Sequence, residues 1–216
     1  MTQDKSYLSI VSHYESCLDK HGDTHLGVDW PKAEDVATRY RVMLEVIKPD
    51  AGSAAAGGRK LSLLDFGCGA SHLYEYMRER GLDGIEYAGL DLSEKFVALS
   101  QSKFPANEYF CMDVLDESVQ LPAFDYVVMN GVFTEKKELS FDEMFDYFAR
   151  LLRKVYESAR VGVAFNVMSK HVDWERDDLF HLPFDVLAAF LKKDVTRNFV
   201  FRNDYGLYEY TAYIYR

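Results

Sequence analysis

The chain has 216 residues and a mass of 24.9 kDa, which fit one domain of ordinary size and exclude a second full domain. Its residues are 48% hydrophobic and 28% charged, which excludes disordered, collagen-like and repetitive chains. Lys and Arg number 25 against 35 Asp and Glu, so the formal net charge of -10 disfavours nucleic acid as a partner.

The first 49 residues are predicted to form a helical cap. Apolar side chains recur there at spacings of three and four, which places them on one helical face: Val36, Tyr40, Met43, Leu44 and Ile47. The glycine-rich residues 50–58 predict a flexible connection to a body over 59–216. The N-terminus is not a basic start followed by an apolar stretch, and no apolar run is long enough to cross a membrane. We therefore expect a cytoplasmic protein with no membrane association.

The cysteines indicate neither a redox pair nor a metal site. Cys17, Cys68 and Cys111 are far apart and form no CxxC pair, so reduced thiols are expected. No compact ligand motif appears elsewhere, so no metal is expected. One alternative set remains open as metal ligands: His171, Asp173, Asp177, Asp178 and His181.

From residue 61 onward, short apolar runs alternate with amphipathic helical patterns, which is typical of a parallel sheet covered by helices on both faces. Strands are predicted at Leu61–Phe66, Tyr87–Leu90, Tyr109–Met112, Tyr126–Met129 and Val161–Val167. Helices are predicted at His72–Arg80, Glu94–Lys103, from Phe141 to Val155 and at Phe184–Lys192. Aromatic and β-branched residues at 198–204 and 208–215 predict a final hairpin. The predicted fold is a Rossmann-like, doubly wound, mostly parallel seven-stranded α/β sheet with a C-terminal antiparallel hairpin.

A glycine turn after the first strand is the sharpest motif. Asp65 and Phe66 end that strand, and Gly67, Cys68 and Gly69 follow before the next helix. Glycines at these positions let the backbone turn tightly and approach a ligand without Cβ obstruction. A glycine-bearing turn without a ligand is the alternative.

Polar residues also follow the next three strands, where ligands of such sheets collect. Asp91 ends the second strand about 20 residues beyond the glycines, where a carboxylate can accept hydrogen bonds from both ribose hydroxyls. Helix capping is its alternative role, for which Ser93 is better placed. Asp113 follows the third strand and could accept the exocyclic amine of adenine, or simply form a turn. Asn130 leaves the fourth strand toward the same cleft.

These four strand ends together resemble the class I S-adenosylmethionine-dependent methyltransferases, over roughly residues 61–216. The resemblance implies S-adenosylmethionine as cofactor and assigns its contacts residue by residue. Asp65, Gly67 and Gly69 would line the methionine part, Asp91 would bind the ribose, Asp113 the adenine and Asn130 the methionine amino group. Further cofactor-binding candidates lie beside them: Cys68, Leu92 and Val114. A nicotinamide dehydrogenase is the main competitor, but His72 stands at the third glycine position of its motif.

Two polar segments are candidates for the acceptor site. In the loop from His21 to Pro31, Trp30 could cover the cofactor and His25 could act as a base. Arg39 on the following helix could pair with the methionine carboxylate. After the fifth strand, His171 could accept a proton and Asp173 could orient it. The alternative for both histidines is an ordinary loop position.

The predicted function is methyl transfer to an oxygen or nitrogen of a small-molecule metabolite. The length leaves little room for a module that recognises protein or nucleic acid. Two alternatives remain: a non-catalytic cofactor-binding partner subunit, and a methyltransferase acting on a protein or RNA. The oligomeric state is left open.

Overall fold

A seven-stranded sheet runs through the computed structural model, which describes residues 7–48 and 59–216. The strands are β1 (Leu61–Phe66), β2 (Ile85–Asp91), β3 (Glu108–Cys111), β4 (Phe124–Phe133), β5 (Ala159–Met168), β6 (Phe199–Arg202) and β7 (Glu209–Tyr215). Their order is β3-β2-β1-β4-β5-β7-β6. The first five are parallel, whereas β7 runs antiparallel to both β5 and β6. The predicted fold class is confirmed.

Six helices accompany the sheet in the described residues: α1 (Leu8–His21), α2 (Ala33–Leu44), α3 (His72–Glu79), α4 (Glu94–Lys103), α5 (Phe141–Ser158) and α6 (Phe184–Asp194). Local chemistry sets several boundaries. Ser93 caps α4 by accepting from the backbone N–H of Phe96, and Ser140 forms a reciprocal capping box with Glu143 at the start of α5. These side chains satisfy N–H groups that have no partner within the helix.

The fourth strand departs from the prediction. It continues past Met129 to Phe133, and its pairing with β5 shifts register between those two residues. Such an irregularity bends a strand and redirects its side chains. Asn130 and Gly131 therefore lie within a distorted strand end rather than after it.

The core has two apolar clusters, and the N-terminal helices contribute to both. Tyr40, Met43 and Val46, on α2 and just after it, belong with Leu63 and Tyr126 of the sheet to one cluster. The helix α2 of the predicted cap is thus packed on the body. The rest of the described cap consists of α1 and residues 22–32. The predicted flexible connection, residues 50–58, lies outside the described residues. None of the described helices combines the length and the apolar character needed to span a bilayer.

Candidate active site

A cavity opens at the carboxyl edge of the parallel strands, between the sheet and the N-terminal helices. Its floor comes from the ends of β1, β2 and β4, and consists of Asp65, Phe66, Gly67, Cys68, Gly69, Leu90, Asp91, Leu92, Asn130, Gly131 and Val132. Its roof comes from α1, the following loop and α2, and consists of Tyr7, Ile10, Val11, Tyr14, Val28, Trp30 and Tyr40. Ligands of such sheets collect at this edge, so these residues form the candidate binding site.

The predicted glycine turn forms part of the floor. Gly67 and Gly69 have φ angles of +74° and +51°, in the left-handed region where a side chain is strained. A Cβ added to Gly67 would lie only 2.7 Å from Cγ2 of Val132. The backbone N–H groups of Gly67 and Cys68 both donate to the carbonyl of Leu90, at 2.7 and 2.9 Å. The turn is therefore tied to β2, and its close packing requires glycine.

Asp91 links the glycine turn to the start of α4. Its Oδ2 accepts from the Gly69 N–H at 2.9 Å, and its Oδ1 accepts from the Ser93 N–H at 2.9 Å. Burial raises the pKa of this carboxyl group, and the backbone hydrogen bonds oppose that effect. Asp91 thus lines the cavity and also fixes the positions of the glycine turn and the start of α4.

Asp65 lies deeper in the floor and is 3% exposed. Its Oδ2 accepts a hydrogen bond from the hydroxyl of Tyr87 at 2.8 Å. Burial raises the pKa of Asp65 to about 7; the Tyr87 hydrogen bond lowers it and the charge of Asp91 raises it. This carboxyl group therefore titrates near neutrality.

Asn130 presents an unsatisfied acceptor in the floor. Its Oδ1 is buried and has no hydrogen-bond partner among the described residues. Buried polar atoms are usually paired, so an unpaired one in a cavity wall fits a ligand that brings a donor. The ammonium group of a methionine moiety is such a donor.

A buried polar chain supports the end of β4. The Gly131 N–H donates to Oδ1 of Asn166, whose Nδ2 donates to Glu209, at 2.8 and 2.9 Å. Glu209 also accepts from Nε of Arg39 at 2.9 Å, and both side chains of this ion pair are at least nine-tenths buried. The chain therefore connects α2 and β7 to the cavity floor.

Arg39 lies behind the roof rather than in the cavity wall. Its guanidinium lies 4.2 Å from the ring centroid of Trp30, and the Trp30 ring also lies close to Gly131. The Nη1 atom of Arg39 is buried and has no hydrogen-bond partner within residues 7–48 and 59–216. Trp30 itself lines the cavity.

Two cofactor-binding candidates, Asp113 for adenine and Val114, lie outside the cavity lining. Oδ2 of Asp113 accepts from the hydroxyl of Tyr7 at 2.6 Å, and Oδ1 accepts from the Leu115 N–H at 3.1 Å. Val114 is buried in the core. Tyr7 lines the cavity and also stacks on Tyr147, so Asp113 is connected to the site through that ring.

The two candidate bases also lie outside the cavity lining. Nδ1 of His25 is 2.6 Å from the carbonyl oxygen of Trp30. The exposed His171 stacks on Phe184 at 5.0 Å between centroids. The expected pairing of His171 with Asp173 is wrong, because Asp173 instead accepts from the hydroxyl of Tyr208 at 3.0 Å.

The alternative metal set around the same loop is held by protein contacts. Nδ1 of His181 lies 2.6 Å from the Ser169 carbonyl, and its Nε2 accepts from the Arg176 N–H at 3.3 Å. Asp178 forms an ion pair with Arg176. These two side chains therefore do not converge on a common ion.

The sequence reasoning missed the tyrosines of the roof. Tyr7 and Tyr14 are seven residues apart, with Ile10 and Val11 between them. This helical spacing places all four side chains on one face, which lines the cavity. That spacing is visible in the sequence. The tyrosine hydroxyls point to specific partners only once α1 lies over the sheet.

Polar contacts fasten the roof to α4. Oγ of Ser93 donates to Glu15 at 2.6 Å, and Nζ of Lys95 lies 2.7 Å from Asp19. Asp23 contacts both Lys103 and His72, each at 2.7 Å. These contacts hold α1 and the loop after it in place beside the cavity.

Comparison with known proteins identifies the class of this site. A family model described as a methyltransferase domain matches residues 64–162. The chain is 27% identical over 158 residues to a Mycobacterium tuberculosis protein named as a methyltransferase, Rv1506c, covering 71% of this chain and 92% of that protein.

Residues 64–162 thus resemble a methyltransferase domain. Its fold matches magnesium protoporphyrin IX methyltransferase from Synechocystis PCC 6803, solved with bound S-adenosylmethionine, at 16% identity over 96% of each chain and a TM-score of 0.61. It also matches the 1,6-didemethyltoxoflavin-N1-methyltransferase of Burkholderia thailandensis at 16% identity over 97% of this chain and 88% of that chain, with a TM-score of 0.62. The predicted enzyme class, an S-adenosylmethionine-dependent methyltransferase, is confirmed.

Proposed function

We propose that this methyltransferase acts on an oxygen or nitrogen of a small-molecule metabolite that enters the roofed cavity. The observation that carries the proposal is the roof over the cavity, whose α1 and residues 22–32 are fastened to α4 by the contacts of Glu15, Asp19 and Asp23. A roofed cavity admits a small acceptor and shields the reacting atoms from water. The solved toxoflavin relative, which holds its acceptor together with S-adenosylhomocysteine, supports this substrate class by analogy.

The chain's contribution to the reaction is alignment and exclusion of water. S-adenosylmethionine supplies a methyl group on a sulfonium, so that the acceptor forms the new bond, the sulfur leaves as a thioether and the acceptor's proton is lost. Tyr14 lies in the roof with its hydroxyl 3.5 Å from the Gly131 carbonyl, and burial raises its pKa, so it stays protonated. It can position an acceptor by donating a hydrogen bond. Such alignment can provide much of the rate acceleration.

For the cofactor, we propose that Asp91 binds the ribose hydroxyls, that Asn130 accepts from the methionine ammonium and that Asp65 adds negative charge near it. The unpaired Oδ1 of Asn130 and the cavity positions of Asp65 and Asp91 support these roles. Gly67, Cys68, Gly69 and Leu92 supply the remaining floor contacts.

We also propose cofactor roles for Arg39, Asp113 and Val114, although none of these three residues lines the cavity. The buried, unpaired Nη1 of Arg39 supports a carboxylate partner, but Trp30 must shift for the two to meet. Asp113 reaches the cavity through Tyr7. Arg39→Lys is the informative variant, because Arg39→Ala would leave the buried Glu209 unpaired.

The base role of His25 and His171 stays a prediction that pH–rate profiles can decide. We expect His25→Ala or His171→Ala to remove the acidic limb of the profile if that histidine accepts the proton. His21→Ala, on the same N-terminal segment as His25, is the matched control. Unchanged profiles in both test variants would assign the reaction to alignment without a base.

The acceptor can be identified with methyl-labelled cofactor and an extract of the source organism divided by size. We expect the purified chain to label the small-molecule fraction and Asp91→Ala to label it far more slowly, with the product identified by mass spectrometry. Label in the protein or RNA fraction would instead support the macromolecular alternative. Tight cofactor binding with no labelled product in any fraction would favour the non-catalytic partner subunit.

A further inference from the structure

Three side chains that bind metals in other proteins meet beside the roof of the cavity. His13 and Cys17 lie one turn apart on α1, and Asp29 projects from the following loop. Nε2 of His13 lies 2.7 Å from Oδ2 of Asp29 and 3.7 Å from Sγ of Cys17. The three ligating atoms all lie within 4.8 Å of one another, the only such group found in residues 7–48 and 59–216.

The arrangement differs from that of a catalytic relay. In a relay the nucleophile and the orienting carboxylate contact opposite nitrogens of the imidazole ring. Here the thiol of Cys17 and the carboxylate of Asp29 both approach the same nitrogen, Nε2 of His13. That nitrogen carries at most one proton, so it can donate a hydrogen bond to only one of them. A single cation between the three atoms would satisfy the nitrogen lone pair, the sulfur and the carboxylate together.

The charges around the group also favour a cation. Lys137 is 3.9 Å from Oδ2 of Asp29, but its ammonium lies 2.5 Å from Glu135, which offsets its charge. Asp29, Glu135 and Lys137 together carry a net negative charge, whereas burial raises the pKa of the Cys17 thiol, whose proton a bound ion would displace. The side chains of His13 and Asp29 are 32% and 34% exposed, so an ion can enter from solvent.

We propose that His13, Cys17 and Asp29 form a binding site for a divalent transition metal of the zinc type. A mixed set of imidazole, thiolate and carboxylate suits such an ion, and three protein ligands leave a fourth position open. Binding replaces the thiol proton of Cys17 and any proton on Nε2 of His13, and both protons pass to solvent.

The bound ion would join α1 to the loop over residues 22–32. His13 is followed by Tyr14, and Asp29 by Trp30, and both aromatic residues line the cavity. A metal at this position would therefore tie α1 to the loop that carries Trp30, in addition to the polar contacts with α4. This role does not depend on the identity of the methyl acceptor.

Titration of the tag-free, metal-depleted full chain with Co²⁺, without cofactor or acceptor, tests the site. We expect one ion per chain, a thiolate-to-metal charge-transfer band, and displacement by Zn²⁺. His13→Ala, Cys17→Ser and Asp29→Asn should each weaken binding by at least about 100-fold, since even groups that only orient a ligand account for about 10–100-fold. The charge-transfer band should disappear in Cys17→Ser.

Matched controls keep the result specific to this group. His21→Ala removes another histidine of α1, and Cys111→Ser removes an exposed thiol elsewhere, so both should bind Co²⁺ like the parent. Circular dichroism checks that each variant is folded. Parent-like affinity in the Cys17→Ser variant, or binding without a thiolate band, would overturn the proposal, as would the absence of stoichiometric binding at micromolar ion.

Discussion

Asp91 is the residue on which cofactor binding is expected to depend most, since it faces the cavity and holds two backbone N–H groups of its boundary. We predict that Asp91→Ala weakens S-adenosylmethionine binding by at least about 1.5–3 kcal/mol, the range for a charge-assisted hydrogen bond. Calorimetric titration measures this change. Glu94→Ala, an exposed carboxylate three positions along the chain, is the control and should bind normally. A folded Asp91→Ala variant with an unchanged dissociation constant would remove Asp91 from the site.

Asp65 gives the site a pH dependence. Burial raises its pKa to about 7, so the carboxyl group is largely neutral at pH 6 and ionised at pH 8. A cofactor with a sulfonium and an ammonium favours the ionised form, so its affinity should rise as pH increases through 7. Titration calorimetry from pH 6 to 8 measures the slope, and Asp65→Asn should flatten it. An equal slope in that variant would assign the dependence to a group other than Asp65.

The same buried carboxyl group links pH to stability. Because its pKa is raised in the folded state, the folded chain binds this proton more tightly than the unfolded chain does. Its contribution is therefore present below the unfolded pKa near 4 and is lost as pH rises toward 7. We expect Asp65→Asn to reduce the fall in unfolding free energy between pH 5 and 7, measured by denaturant titration. A fall as steep as that of the parent would contradict the assignment.

At the scale of elements, α1 and residues 22–32 are the parts expected to move, because α1 buries only Ile10 whereas α2 buries Tyr40, Val42 and Met43. We predict that S-adenosylhomocysteine slows hydrogen exchange over residues 8–32 and leaves exchange within α2 nearly unchanged. Asp23→Asn should speed exchange of the roof by weakening its contacts with Lys103 and His72. Asp177→Asn, on an exposed loop, is the control. Identical exchange of residues 8–32 with and without the ligand would exclude a moving roof.

For the whole molecule, binding of the predicted cofactor should stabilise the fold. At a concentration 100 times its dissociation constant, S-adenosylmethionine should add about 2.7 kcal/mol. In a chain of this length that corresponds to a rise in Tm of about 5–10 °C. NAD at the same concentration should have no such effect, because the turn that it would need carries His72 at the third glycine position. Scanning calorimetry that showed stabilisation by NAD alone would contradict the assigned cofactor.

The sequence by itself determined the order of strands and helices, the glycine turn and the strand-end carboxylates. These features depend on local periodicity, capping and backbone freedom, which neighbouring residues encode; β1 and α4 even have the predicted bounds. Asn130 and Asp91 could likewise be found because strand ends meet at one edge of a parallel sheet.

Only the tertiary structure decided which distant side chains meet. Arg39 pairs with Glu209, 170 positions away, and Asp113 pairs with Tyr7, 106 positions away. His13, Cys17 and Asp29 converge because α1 and its loop fold over the sheet together. Such contacts depend on how whole elements pack against each other, and a local hydrophobic pattern gives an element's buried face but not the partner of each polar group on it. The placement of His25 and His171 outside the cavity has the same cause.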